Sequence, residues 1–138
     1  LAILTTPPPA SDDIGALITY QMNNRKAIGG DGFVDDDAAR KLAADTIARQ
    51  FYPVGTARQR AGIMASASRT DALKNISVPT LVIHGDNDPL VQLEGGILTA
   101  ETIPGARLEV MPGMGHAQFP LYQERVMALM VAHFGNNG

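Results

Sequence analysis

A carboxylate and an imidazole stand at two places in this chain where the sequence forces a turn after an extended run. Asp88 follows Leu81-Val82-Ile83-His84-Gly85-Asp86-Asn87, and His116 follows Glu109-Val110-Met111-Pro112-Gly113-Met114-Gly115, 28 positions further on. A carboxylate that accepts the ring N–H of a histidine fixes the ring's tautomer and stabilises the imidazolium that forms when the other nitrogen takes a proton. That is two thirds of an acid–base–nucleophile relay. The remaining third would be a nucleophile on a sharp strand-to-helix turn. The serines are Ser11, Ser66, Ser68 and Ser77, and none lies in Gly-x-Ser-x-Gly. Ser66 and Ser68 have no glycine frame and read as polar helix-end positions. The residues therefore hint at a reaction class that this chain alone is expected not to perform.

Each candidate has a plainer use. Gly-Asp-Asn-Asp-Pro is turn chemistry whatever the function, and a histidine on a glycine loop is commonly just exposed. The pairing adds weight, because both lie past the carboxyl ends of strands, where open α/β sheets place their ligands. Asp86 is the nearest competitor of Asp88 and reads as support for the turn. His84 reads as a structural residue bonded to backbone in that turn, and His133 as a complement to a helix C-terminal dipole. His84, Asp86, Asp88 and His116 could be drawn as a metal site, but their spacing is not diagnostic and an Asp–His pair accounts for two of them, so a metal-binding domain stands only as a third, weaker reading. The glycine clusters at 29–32 and 95–96 lack the context of a phosphate loop and read as turns.

The elements that must position these residues fall in the second half of the chain. Residues 78–83 are a short, apolar, β-branched run, the mark of a strand buried on both faces. Leu93 to Ile103 is a plausible helix weakened by Gly95-Gly96. Residues 106–111 alternate as a second strand, and Pro120 to Phe134 is a helix with an apolar stripe at Tyr122, Val126, Leu129, Met130 and Phe134. Strand, helix, strand, helix implies parallel pairing. The first half reads as helical. Ser11-Asp12-Asp13 caps a helix carrying Ile14, Leu17, Ile18 and Met22. Asp35-Asp36-Asp37 opens a second helix through Leu42, Ile47 and Phe51, Pro53 breaks it, and Thr56 to Ser68 forms a third. Two parallel strands do not make a stable sheet, and the run at 79–84 is too apolar for an exposed edge. Further strands are expected from another polypeptide, a swapped copy or a missing N-terminal half.

Composition narrows the class. The chain has 138 residues, 45% of them hydrophobic and 18% charged, enough for one domain with a core. A net charge of −3 with no basic patch argues against nucleic acid as a partner. No apolar run approaches the length of a membrane span. Cysteine does not occur, which excludes disulfides and thiolate metal sites. Leu rather than Met at position 1 suggests a trimmed or cut chain. The expected location is cytoplasmic.

On the segments Pro79-Thr80-Leu81-Val82-Ile83-His84-Gly85-Asp86-Asn87-Asp88-Pro89-Leu90-Val91 and Glu109-Val110-Met111-Pro112-Gly113-Met114-Gly115-His116, the chain resembles the C-terminal portion of the α/β-hydrolase family. The triad of such proteins runs Ser, Asp or Glu, then His along the chain. The resemblance makes Asp88 the triad acid and His116 the triad base. It makes residues 1–70 a helical cap and residues 71–138 the C-terminal part of the hydrolase core, an α/β fold incomplete as a single domain. The nearest subgroup is small-molecule esterases related to polyketide methyl esterases, alongside peroxidase-like relatives. Many relatives carry proline four places after the acid, where this chain has Gln92. The nucleophile elbow and oxyanion loop would precede Leu1, so ester, halide and epoxide chemistry stay open. The implied activity is hydrolysis of a small apolar ester, with Ile14, Leu17, Tyr20 or Met22 lining the pocket and no cofactor. The rival expectation is a non-catalytic, hydrolase-like module that pairs through its open sheet edge.

Overall fold

The computed structural model describes residues 6–10, 12–117 and 120–135. The chain forms two compact units. One comprises Leu1–Lys26 and Val34–Ser68, the other Ala27–Phe33 and Arg69–Gly138.

The first unit is helical. Helix α1 covers Ile14–Ile28. Ser11 lies outside the described residues; Asp13 caps the helix, its Oδ1 accepting the Ala16 N–H at 2.8 Å. Helix α2 covers Asp37–Arg49, capped by Asp36, whose Oδ1 accepts the Ala39 N–H at 2.7 Å. Helix α3 covers Pro53–Ala65. Helix α2 ends at Arg49, ahead of Pro53 as expected, but α3 starts at Pro53 itself rather than at Thr56: at the first helical position the missing N–H has no intrahelical partner to lose. Leu17, Met22, Ala43 and Ile47 are the buried side chains here. Leu42, an expected core position, is exposed. Leu17 and Met22, two of the candidate pocket residues, are buried.

The second unit carries α4 (Thr70–Leu73), β1 (Leu81–Gly85), α5 (Leu93–Thr102), β2 (Arg107–Met111) and α6 (Pro120–Gly135). β1 and β2 pair in parallel from Leu81↔Arg107 to Gly85↔Met111. β1 starts three residues later than the apolar run suggested, and Val78 is exposed. Helix α5 packs against both strands and α6 against β1. The Gly95-Gly96 pair in α5 has a packing cause. A Cβ on Gly96 would lie 2.6 Å from Nδ1 of His84, so the bare backbone makes room for that ring. Met111, Met114, Tyr122 and Val126 form the buried cluster, with Ile83 and Leu129 packed against it. Only part of the α6 stripe is used inward; Met130 and Phe134 are exposed. Leu81–His84 are half-buried rather than enclosed, and β2 is the only strand paired with β1 among the described residues.

Candidate active site

Parallel register brings Gly85 opposite Met111, so the two loops that follow start level with each other. The ladder then continues past the strands. Asp86 N–H donates to the Met111 carbonyl at 3.3 Å, and Asn87 N–H to the Met114 carbonyl at 3.1 Å. The side chain of Asp86 crosses to the second loop, its Oδ1 accepting the Gly113 N–H at 2.7 Å. Gly85 must be glycine, because a Cβ there would collide with the Met114 carbonyl.

These constraints place Asp88 and His116 side by side. His116 Nδ1 lies 2.9 Å from Asp88 Oδ2. An ionised carboxylate can only accept, so Nδ1 carries the proton and donates, which leaves the lone pair of the neutral ring on Nε2. The other oxygen of Asp88 is committed to the turn: Oδ1 accepts the Leu90 N–H at 2.8 Å and the Val91 N–H at 3.0 Å. The turn contacts and the contact with the His116 ring thus fall on different oxygens of one carboxylate. The Asp88 side chain is 6% exposed and that of His116 is 43% exposed, so the acid is shielded while the ring reaches solvent. Burial alone would raise the Asp88 pKa. The Val91 N–H, the His116 ring and the Leu90 N–H together outweigh it and hold the carboxyl below its ordinary range.

His84 has a backbone role. Its Nε2 lies 2.9 Å from the Val91 carbonyl, which can only accept, so Nε2 donates and ties the strand end to the far side of the turn. The same nitrogen is 3.9 Å from Asp88 Oδ2, beyond hydrogen-bond length. His133 donates Nε2–H to the Pro79 carbonyl at 3.3 Å, pinning the end of α6 to the approach of β1. Tyr122, buried below the His116 loop, has its phenol pKa raised by burial and by the charges of Asp31 and Asp86. No group of three or more His, Cys, Asp or Glu side chains among the described residues is arranged to hold a metal.

The sequence reading missed the segment Ala27–Phe33. Its residues 29–32 read in the sequence only as a turn that ends the first helix; in the structure the segment lies along the His116 loop, with an antiparallel bridge between Gly30 and Met114. His116 N–H donates to the Ile28 carbonyl at 2.7 Å, and Asp31 N–H donates to the Gly113 carbonyl at 2.9 Å. The available signal was the presence of two glycine-rich segments in one chain, since close backbone approach needs glycine on both sides.

A parallel strand pair with an acid turn and a glycine-loop histidine at its carboxyl end defines part of an α/β-hydrolase. Residues 16–120 match the family model described as serine aminopeptidase, S33, and the chain belongs to that family of α/β-hydrolases. A non-heme haloperoxidase of Rhodococcus erythropolis is 42% identical over 60 residues, which are 43% of this chain and 22% of that protein. The solved meta-cleavage product hydrolase of Pseudomonas fluorescens IP01 superimposes with a TM-score of 0.71 at 24% identity, covering 99% of this chain and 49% of that one. A serine hydrolase involved in carbazole degradation gives a TM-score of 0.71 at 21% identity, covering 86% of this chain and 47% of that one. These two likenesses show the fold. The chain spans about half the length of both structures.

Proposed function

We propose that Asp88 and His116 are the acid and base of a carboxylic ester hydrolase whose nucleophile lies outside these 138 residues. The observation that carries this reading is the 2.9 Å contact between His116 Nδ1 and a shielded, ionised Asp88, with Nε2 left as the free base on a ring that reaches solvent. A serine hydroxyl brought within hydrogen-bond reach of Nε2 would lose its proton to the ring as its oxygen attacks the acyl carbon. The imidazolium, held by Asp88, would return that proton to the departing alcohol. Backbone N–H groups near the nucleophile would hold the oxyanion. Residues 1–70 serve in this reading as the helical cap over a small apolar substrate.

The second reading is a non-catalytic module that pairs through the free edge of β1. The half-buried Leu81–His84 run and the single pairing partner of β1 among the described residues favour it. One experiment separates the two. Hydrolysis of p-nitrophenyl butyrate is measured for the chain alone and after mixing with a polypeptide carrying the nucleophile turn of the same protein. Turnover that needs both parts and is lost in His116→Ala supports the hydrolase. Tight association without turnover supports the module.

A further inference from the structure

The segment Ala27–Phe33 is not explained by the acid–base pair, yet it is built against the loop that carries the base. Two backbone hydrogen bonds join them, Ile28 C=O to the His116 N–H and Gly113 C=O to the Asp31 N–H, the second flanking the antiparallel Gly30–Met114 bridge. The close approach is enforced from both sides. Gly30 adopts φ +61°, and a Cβ on it would run into the Gly113 carbonyl. Gly113 adopts φ +73° with the Asp31 carboxylate where its Cβ would be, and a Cβ on Gly115 would strike the Ile28 carbonyl. Gly29 and Gly115 are buried. Turn formation alone requires none of this complementarity.

We propose that Ala27–Phe33 is a positioning strap for His116, with Gly30 and the Ile28 carbonyl setting where the imidazole stands relative to Asp88. His116 is restrained from two opposite ends. Asp88 holds the ring at Nδ1, and the ring's own backbone N–H is held by Ile28. A side chain fixed at its tip alone still swings about its backbone; fixing both ends leaves one direction for Nε2. Small errors matter there, since a displacement of about 1 Å costs a relay about 100-fold in rate. The proposal rests on the reading of Asp88 and His116 as the acid and base.

The test compares Gly30→Ala with Gly105→Ala. Gly105 also has positive φ, at +73°, but nothing lies within 4 Å of its missing Cβ. The two substitutions therefore share backbone strain and differ in contact with the His116 loop. Amide hydrogen exchange of the chain is the first readout. Gly30→Ala is expected to speed exchange at His116 and Asp31 about tenfold or more, beyond any change in the strand amides, whereas Gly105→Ala leaves those two at the strand level. In the protein completed with its nucleophile, Gly30→Ala is expected to lower kcat about 100-fold with KM little changed. Identical exchange at His116 in both variants overturns the strap. Should Gly30→Ala not fold, the unsubstituted chain still decides: His116 and Asp31 amides must exchange with one common opening rate, and independent exchange overturns the proposal. Turnover indifferent to His116→Ala would remove the hydrolase reading without altering the exchange result.

Discussion

Asp88 divides its work between two oxygens, and the division makes a separable prediction. Asp88→Asn keeps an oxygen that can accept the Leu90 and Val91 N–H groups but loses the negative charge facing His116. Destabilisation of about 1–2 kcal/mol is expected in urea denaturation, while hydrolysis by the completed protein falls about 10⁴-fold, the scale of a relay with the wrong tautomer. The pH dependence has a definite sign. The folded carboxyl titrates below its ordinary range, so the unfolded chain binds the proton first as pH falls. The resulting stabilisation is full above the ordinary aspartate value of about 3.9. It is lost as pH drops from there through the lowered folded value. Urea midpoints across this window must fall with pH in the wild-type chain and change less in Asp88→Asn.

At the scale of elements, two close packings hold the site. Met111 is 1% exposed and ends β2 inside the cluster with Met114, Tyr122 and Val126. Met111→Ala is expected to cost about 2–4 kcal/mol, read as a lower thermal or urea midpoint. Gly85→Ala, whose new methyl meets backbone rather than a flexible side chain, is expected to cost about 2 kcal/mol or more and to perturb the Asn87 amide bonded to Met114. The parts of the site legible in the sequence are those whose signals are local. A β-branched run followed by Gly-Asp-Asn-Asp-Pro located Asp88, and an alternating strand followed by a glycine loop located His116. The strap was not legible, because Gly29-Gly30-Asp31-Gly32 encodes a turn in any context and its partners lie more than 80 positions away. The start of α3 at Pro53 rather than Thr56 was missed for a related reason: a proline that ends one helix also suits the first turn of the next. The late start of β1 followed from pairing with Arg107, which no pattern within 78–83 reveals.

For the whole molecule, the second unit leaves Val78, Leu121, Met127, Val131 and Phe134 exposed, together with an edge of β1 that is unpaired among the described residues. Exposed apolar side chains and an open strand edge invite association. The chain by itself is expected to bind a hydrophobic dye such as anilinonaphthalene sulfonate, and to lose that binding when completed by its nucleophile-bearing part; dye fluorescence measured before and after mixing checks this. Pairing of His116 with Asp88 fixes which nitrogen of the ring carries the proton. Nitrogen-15 spectra of the neutral ring read this directly. The geometry demands a proton on Nδ1, with a far-downfield resonance that disappears in Asp88→Asn, and a bare Nε2. A neutral ring protonated on Nε2, or a spectrum unmoved by Asp88→Asn, would contradict the pairing on which the hydrolase reading stands.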